Sequence, residues 1–376
     1  MSVLRDHVSD AFGGNPPQTI KGNIQTSKDV LFASGSDGLA KYARGSQARK
    51  ILTTYIPVLE QGTFVPINAY FNALVRTGRT SCSYPNLQNL PRIGGIREAF
   101  IPREEGMVFC SIDYDSIELR ALAQVHINFF GKSTLAEAFI AGEDPHLTLA
   151  AHIMGIDYAE AYERRMSPEM KNMRSLAKIC NFGYAGGLSS ASLVPYAANY
   201  GVSVTSKEAA ALRDQWFDRW KEMKPYFKKI GRLTRSGEAT IVQEYSGRIR
   251  GGVTFTACAN TFFQGLCADG AKSGLFQLQR ACYSTTGGLE KVRPVIFLHD
   301  EIIAEGPAET AHIWSEKMKA LMIDAMAEVI PNVPITAEAI LMERWYKNAV
   351  PTFENGRLVP WRPDIRTQVS NTRSVA

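Results

Sequence analysis

Alternating apolar and polar stretches divide the chain into short predicted strands and amphipathic helices. Residues Val108–Gln124 begin with VFCSI, a run typical of a buried strand, and continue after Asp113 with apolar positions at helical spacing. Asp115 and Ser116 are both of the residue types that cap a helix N-terminus. An acid at the end of a buried strand needs a metal, a cation or water, or else it caps the next helix. The pattern of this stretch leaves both interpretations open.

Start and stop signals predict further helices and a hairpin. The clearest helix has Ser167 as N-cap, Pro168 as first residue and a stop that begins at Gly183. The runs VIFL and IIAE flank His299-Asp300-Glu301 and predict a hairpin with two adjacent carboxylates at its tip. The other predicted elements are helices at 34–49, 51–62, 134–142, from 145 onward, 207–233, 253–281 and 308–329, a strand and its return at 63–75, and a closing strand at 335–343.

Composition indicates a globular protein. The chain is 45% hydrophobic and 21% charged, and its 376 residues are enough for two or three subdomains. A net charge of +5 permits a polyanionic partner. The first twenty residues hold charges, Gly-Gly and Pro-Pro where an apolar core would be, so no signal peptide is expected. No apolar run is long enough to span a bilayer. Six scattered cysteines without a CxxC pair predict reduced, buried thiols in a cytoplasmic protein rather than a zinc site.

Several polar groups are candidates for phosphate or DNA contacts. Arg174, Lys178 and Phe182 fall at i, i+4 and i+8 of one helix, which fits a solvated basic face or a nucleotide triphosphate. His146 lies near a helix start, where the backbone favours an anion, although a lone histidine is more often structural. The loop 76–92 is rich in cations and hydrogen-bonding groups, so it suits either a surface loop or a grip on a backbone.

The two strand-end aspartates are natural partners across one sheet. Two carboxylates about 4 Å apart would repel by about 4 kcal/mol at an effective dielectric of 20, and divalent cations would remove that repulsion. Hard cations such as Mg²⁺ match carboxylate-only sites with open positions for phosphate oxygens. Together with the basic helix face, Asp113 and Asp300 therefore suggest two-metal phosphoryl transfer.

Three motifs in this order resemble the polymerase domain of family A DNA polymerases, of the bacterial repair type and similar to a phage member. DYDSIELR resembles the first palm motif, RSLAKICNFG the fingers-helix motif and LHDE the second palm motif. The segments TGRTSCSYPNLQNLP, NTFFQGLCAD and DPH also match family segments, and the resemblance covers roughly residues 22–345.

This resemblance implies a catalytic centre in the palm. Asp113 and Asp300 would hold two Mg²⁺ ions, with the carbonyl of Tyr114 as a further ligand. Glu301 is implied as a third catalytic acid beside the primer end, and His299 would lie there too. Glu118 occupies the family's sugar-excluding position.

The resemblance also implies how substrates are held. His146, Arg174 and Lys178 would grip the triphosphate, and Phe182 would pack on the sugar and base. DNA contacts are implied for a further set: Arg79, Asn260, Gln264 and His299. Of these, Arg79 and Gln264 would donate to minor-groove acceptors that all four base pairs present.

The implied fold is α+β, a right-hand polymerase fold with an antiparallel palm sheet, helical fingers and a reduced thumb. The expected divisions are a remnant thumb and lead-in (1–50), palm (51–125), fingers (126–255), palm (256–347) and an extended tail (348–376). Two departures from the family stand out. Gly186 replaces a usual Tyr, and Tyr184 does not share its helix face. Only about fifty residues precede the palm, so no 3′–5′ exonuclease and little of a thumb are expected.

Two alternatives stay open at this stage. A single-subunit RNA polymerase shares the palm, but Glu118 and the Glu301 that follows Asp300 oppose it. A polymerase fragment that binds primer-template with low activity would need a thumb-bearing partner. The expected partners are primer-template DNA, dNTPs and a separate thumb, exonuclease or processivity subunit, with no membrane; if the chain is phage-encoded, it would work in the bacterial host cytoplasm.

Overall fold

The computed structural model describes residues 2–18, 22–91, 95–198 and 200–363. The chain forms two compact units, Met1–Asn68 and Ala69–Ala376. Arg92, at the end of the predicted loop, and residues 364–376 of the predicted tail lie outside the described residues.

Helices and strands account for most of the described chain. The helices are α1 (Ser2–Ala11), α2 (Lys28–Ala33), α3 (Asp37–Lys50), α4 (Ile56–Gly62), α5 (Ile117–Phe130), α6 (Thr134–Ile140), α7 (Pro145–Met154), α8 (Tyr158–Glu163), α9 (Pro168–Ala185), α10 (Ser190–Ala198), α11 (Ser206–Arg219), α12 (Met223–Leu233), α13 (Phe255–Cys282) and α14 (Ala311–Val329). The strands are β1 (Tyr70–Asn72), β2 (Ser81–Ser83), β3 (Met107–Tyr114), β4 (Ala239–Val242), β5 (Ile249–Val253), β6 (Arg293–Leu298), β7 (Glu301–Pro307), β8 (Ala337–Met342), β9 (Thr352–Glu354) and β10 (Arg357–Val359). A π-helical stretch, Ile51–Tyr55, joins α3 to α4, and short 3₁₀ helices occur at Leu87–Asn89 and Ala308–Thr310.

The N-terminal unit is a small helical cluster. Ser36 caps α3, because its hydroxyl accepts a hydrogen bond from the Leu39 amide at 3.4 Å. A small core forms from the buried side chains Val8, Leu31, Leu39 and Ala43. The helices predicted at 34–49 and 51–62 are confirmed here, while the assignment of residues 1–50 to a reduced thumb stays a prediction.

A four-stranded antiparallel sheet in the order β6-β7-β3-β8 organises the larger unit. The β6–β7 hairpin and the closing strand β8 were both predicted, and both pair as antiparallel neighbours within this sheet. Asp113 in β3 lies opposite Glu301 in β7 and opposite Glu338 in β8. Since residues directly opposite each other share a face, these three acids project from the same side of the sheet.

Helices α13 and α14 cover the other side of the sheet. Tyr114 points that way, and its hydroxyl donates to the Met322 carbonyl of α14 at 2.6 Å. Gly274 of α13 makes room for it, since a Cβ there would lie 2.8 Å from the same hydroxyl. Because side chains alternate along a strand, Asp113 faces away from these helices. Tyr114 therefore has only its backbone to offer on the Asp113 side.

The chain between β3 and β6 forms the predicted helical insertion, with differences in detail. Residues 207–233 form two helices instead of the predicted one, since the backbone at Trp220 leaves helical geometry (φ −105°, ψ 78°). Helix α9 continues two residues beyond Gly183, to Ala185. The long helix begins at Phe255, because Ile249–Val253 pairs with β4 in a hairpin that the pattern did not predict.

Two further expectations are corrected. Neither Asp115 nor Ser116 caps α5 with its side chain; Ser116 occupies the N-cap position in a left-handed conformation (φ 49°) without a capping hydrogen bond. The tail from 348 is not uniformly extended, because β9 and β10 form a hairpin with Arg357 opposite Glu354.

No helix among the described residues is both long and apolar enough to cross a bilayer. All six cysteines are buried and free, as predicted.

Candidate active site

The β6–β7 turn brings the predicted acids together at one end of the sheet. His299 and Asp300 form the two-residue connection, with Leu298 opposite Glu301 as the first strand pair. The turn is tight: His299 takes a left-handed conformation (φ 65°), and the Asp300 amide donates to the Leu298 carbonyl at 2.8 Å. Glu301 is thus a strand residue rather than part of the tip. It lies across from Asp113, so all three predicted acids are grouped at this end of the sheet.

The electrostatics of this group are repulsive. Burial raises the pKa of Asp113 to about 7, and the charges of Asp300 and Glu301 add to the rise. Burial also raises the pKa of Asp300 to about 6, with Glu118 as the next contribution. Asp113 is exposed on one side, so solvent screens part of this repulsion. Within the described residues its carboxylate accepts no hydrogen bond from the protein, which leaves its oxygens available to an outside cation.

Glu301 differs from the two aspartates because the protein already binds its carboxylate. Ser111 donates a hydrogen bond to Oε1 at 2.6 Å, and the Lys347 ammonium lies 3.4 Å from Oε2. Ser111 is two residues before Asp113 and so shares its face of β3. Sequence analysis missed both partners, although strand alternation from Asp113 would have indicated Ser111.

Glu118 is the second residue of α5, five residues beyond Asp113, and it pairs with Arg79. The Arg79 guanidinium donates to its carboxylate from the loop that precedes the 3₁₀ helix. Gln88 connects this segment to the sheet, because its amide donates to the Phe297 carbonyl of β6 at 3.2 Å. The predicted sugar-excluding residue and the predicted minor-groove donor therefore contact each other beside Asp300. The Arg79 charge also helps to lower the pKa of His299, after burial as the main cause.

The predicted triphosphate face lies on α9. Arg174 pairs with Asp144 at 2.6 Å, and the other oxygen of Asp144 caps α7 by accepting from the His146 amide at 2.8 Å. Lys178 is exposed one turn further along, and none of the ion pairs among the described residues involves it. Phe182 follows on the same face, with its ring 5.5 Å from the His146 ring. All four predicted substrate groups on α7 and α9 are thus neighbours.

Asn260 and Gln264 lie one turn apart on α13, as predicted, but they are not equivalent. The Asn260 amide donates to the Gly186 carbonyl at 3.0 Å and to the Thr256 carbonyl at 2.9 Å. A Cβ on Gly186 would lie 3.1 Å from the Asn260 side chain. Asn260 therefore fills the space beside Gly186, the residue that stands where a tyrosine was expected from the family resemblance. Gln264 makes only a long 3.5 Å contact with Asn260 and is the freer of the two amides.

The tryptophans in the segment predicted as one helix at 207–233 belong to the core. Trp216 and Trp220 are buried, which decides against an exposed surface for them. The cations of α12 instead border an open groove, whose lining includes Phe130, Lys228, Lys229 and Arg232.

The oxygen donors at this end of the sheet suit a hard cation. Among the described residues, no group of three or more His, Cys, Asp or Glu is arranged to hold a metal ion. Asp113, Asp300 and the Tyr114 carbonyl offer only oxygen donors, and Mg²⁺ is bound by one or two carboxylates plus substrate phosphates. These residues therefore fit a Mg²⁺ site in which substrate phosphate oxygens supply the remaining ligands.

A polymerase domain of known structure has a similar fold. The POL domain of Pol1 from M. smegmatis, in complex with DNA primer-template and dNTP, matches with a TM-score of 0.68 and 23% identity. The match covers 92% of this chain and 64% of that chain. A likeness at this level of identity shows the fold, and it confirms the predicted α+β palm-and-fingers architecture.

The sequence comparisons define the family. A sequence profile described as DNA polymerase family A matches residues 4–347, so the chain belongs to DNA polymerase family A. DNA polymerase I of Aquifex aeolicus is 28% identical over 355 residues, covering 92% of this chain and 58% of that protein. DNA polymerase I of Streptococcus pneumoniae is 32% identical over 350 residues, covering 87% of this chain and 37% of that protein. The chain thus spans little more than half the length of the first relative and less of the second. Polymerases of this family generally depend on divalent metal ions.

Proposed function

We propose that this chain carries out template-directed DNA synthesis, adding dNTPs to a primer 3′-end by two-metal nucleotidyl transfer. The observation that carries the proposal is the pairing of Asp113 with Glu301 across β3 and β7, with Asp300 in the adjoining turn. The raised pKa values of Asp113 and Asp300 and the unpaired carboxylate of Asp113 mark a group of acids that an outside cation would stabilise. Membership of DNA polymerase family A supports the same reaction.

The catalytic acids would have two roles. Asp113, Asp300 and the Tyr114 carbonyl would hold Mg²⁺, which when bound supplies activation of the primer 3′-hydroxyl and neutralises charge on the leaving pyrophosphate. Glu301 would stay in place through Ser111 and Lys347 and act as a fixed negative group near the primer end. His299, held in the strained turn, would lie beside it.

The incoming dNTP would bind along α9. Lys178 is free to meet a phosphate, and Arg174 would exchange Asp144 for phosphate oxygens or bind them beside it. His146 would donate a hydrogen bond to the triphosphate, and Phe182 would pack on the sugar and base. Glu118 would cover the 2′ side of the sugar, with Arg79 holding its carboxylate.

Primer-template DNA would contact the palm side of the same site. Arg79 and Gln264 would donate to minor-groove acceptors, which exist in every base pair and so permit a sequence-blind check of pairing. Asn260 would act mainly by holding the backbone at Gly186. On this basis we assign residues 51–125 and 256–347 to the palm, 126–255 to the fingers, 1–50 to a reduced thumb and 348–376 to a tail.

Primer extension by the purified chain tests the proposal. We expect extension that follows the template sequence, requires Mg²⁺ and stops with EDTA. Binding of primer-template without extension at any Mg²⁺ concentration would instead support the low-activity fragment. A trap that captures released DNA limits each enzyme to a single binding event, so the product length reports how many nucleotides are added per event. For a split enzyme we expect short products that lengthen when a separate thumb or processivity subunit is added.

A further inference from the structure

Asn181 is a buried side chain that the proposed function does not use. It lies on α9 immediately before Phe182 and is 1% exposed. Its side chain makes four hydrogen bonds, to Trp216, Trp220, Pro145 and His146. These partners belong to α7, to α11 and to the residue that follows α11. Asn181 therefore joins three segments of the fingers at one point.

The two indoles fix the orientation of this amide. The Nε1 atoms of Trp216 and Trp220 lie 3.0 and 2.9 Å from Oδ1 of Asn181. An indole N–H can only donate, so the atom between the two rings must be the amide oxygen. The amide nitrogen then faces the other way, towards α7.

This orientation fixes the tautomer of His146. The Nδ2 atom of Asn181 lies 3.1 Å from the Pro145 carbonyl and 3.0 Å from Nδ1 of His146. An amide N–H₂ group only donates, so Nδ1 must accept and carry a lone pair. In a neutral imidazole the proton is then on Nε2.

The surroundings of His146 keep it neutral. The ring is 3% exposed, and burial lowers its pKa to about 4. Asp144 opposes this shift, whereas Arg174 and Lys178 on α9 add to it. At neutral pH the ring can therefore offer a single N–H donor, and Asn181 decides which edge carries it.

We propose that Asn181 is a positioning residue for the triphosphate, since it holds His146 as the Nε2–H tautomer and so presents an N–H rather than a lone pair to a phosphate oxygen. The phosphate part of this inference rests on the proposed function, whereas the tautomer part rests only on the hydrogen bonds above. A neutral donor beside Arg174 and Lys178 adds a directed hydrogen bond to the site without a third positive charge.

The first test is made on the free protein and needs neither DNA nor activity. Nitrogen-15 NMR of histidine-labelled protein distinguishes a protonated ring nitrogen from an unprotonated one. We expect His146 to show an unprotonated Nδ1 and a protonated Nε2 that do not change between pH 6 and 8. A proton on Nδ1 in the wild type would overturn the inference at once.

The second test changes Asn181 while keeping its shape. Asn181→Asp retains an oxygen for both indoles but replaces the amide donor with an acceptor. His146 should then carry a proton on Nδ1 and gain one on Nε2 only when it is charged. Between pH 6 and 8.5 we expect the KM for dNTP of this variant, divided by the wild-type KM at the same pH, to rise about tenfold as the Nε2 proton is lost.

Tyr184→Phe is the matched control. Tyr184 is on the same helix and donates a buried hydrogen bond to the Ala209 carbonyl of α11 at 2.6 Å, away from His146. Its loss should lower stability but leave the His146 tautomer and the KM profile as in the wild type. If Asn181→Asp does not fold, Asn181→Ala replaces it, because it removes the amide donor to Nδ1 and should let the Nδ1–H tautomer of His146 appear in the NMR spectrum.

The outcomes separate this inference from the proposed function. The Nε2–H tautomer in a chain that never adds a nucleotide would reject the proposed function and the phosphate role together, and leave the tautomer assignment in place. Nucleotide addition with a switched tautomer in Asn181→Asp but an unchanged KM profile would reject the positioning role alone.

Discussion

The acids at the end of the palm sheet and the buried polar groups of the fingers have opposite surroundings. Asp113 lies opposite Glu301 and near Asp300, so its neighbours repel it and its pKa rises. Asn181 lies among two indoles, a carbonyl and an imidazole, and every one of its hydrogen-bonding positions is used. The protein completes one polar group by itself and leaves the other incomplete.

This difference separates groups that need an outside ligand from groups that position other residues. A buried polar network is stabilising when every member is satisfied, as around Asn181. A cluster of like charges costs free energy until a cation joins it. Glu301 lies between the two cases, since Ser111 and Lys347 already satisfy its oxygens.

Loss of a palm carboxylate should have the largest effect. Asp113→Asn and Asp300→Asn should each lower the rate of nucleotide addition at least about a thousandfold, because each removes a charge that would hold Mg²⁺. Primer-template binding should persist, and gel-shift and single-turnover assays measure the two properties separately. Asp115→Asn removes the same charge two residues away and should retain most of the activity. Near wild-type extension by Asp113→Asn would contradict the metal assignment.

Substitution of Glu118 tests the sugar-side assignment. Glu118→Ala should admit ribonucleotides about a hundredfold better relative to dNTPs, since about 3 kcal/mol of discrimination would be lost. Steady-state kinetics with matched dNTP and rNTP measure this ratio. Glu118→Gln keeps the size and an acceptor for Arg79, so selectivity should largely survive in it. An unchanged ratio in Glu118→Ala would make the residue a structural acid.

His126 in α5 is a buried polar side chain that, unlike Asn181, is not satisfied. It is fully buried, and neither ring nitrogen has a hydrogen-bond partner among the described residues. Burial lowers its pKa to about 4, while Glu222 opposes the shift. Because the folded-state pKa lies below that of the unfolded chain, stability is full above about pH 6.5 and is lost as pH falls towards 4.

The variant His126→Phe should reduce this acid sensitivity. The ring packs on Phe130 and Tyr226, so a phenyl group keeps the aromatic contacts. Urea unfolding at pH 8 and pH 4.5 should show a smaller loss of unfolding free energy in the variant, by on the order of 2 kcal/mol. An equal loss in both proteins would assign the acid sensitivity to other groups, His146 first among them.

A smaller effect is expected on the stability of the metal-free chain. At pH 8 in EDTA, Asp113→Asn should raise the thermal midpoint by about 1–3 °C, because it removes one of the repelling charges. Added Mg²⁺ should raise the midpoint of the wild type more than that of the variant. Calorimetry measures both shifts, and a lower midpoint in EDTA for Asp113→Asn would contradict the repulsive cluster.

Local sequence predicted several elements of the larger unit well. The buried run before Asp113, the β6–β7 hairpin and the Ser167–Pro168 helix start were all correct, since each depends on neighbours within a few residues. The break between α11 and α12 was not predicted, although Pro225 in the first turn of α12 is a signal of a helix start. Distant contacts hold it: Trp220 donates to Asn181, and the Glu222 carboxylate accepts from Thr134 at 2.7 Å.

The sequence by itself determined the family, the order of the elements and the residues with candidate chemistry, since short motifs carry all three. Only the tertiary structure decided what each polar group pairs with. Arg79 meets Glu118, Arg174 meets Asp144 and Asn181 meets two tryptophans 35 and 39 residues away. The physical reason is that a hydrogen bond depends on distance and direction in space, and the packing of whole helices and strands sets both.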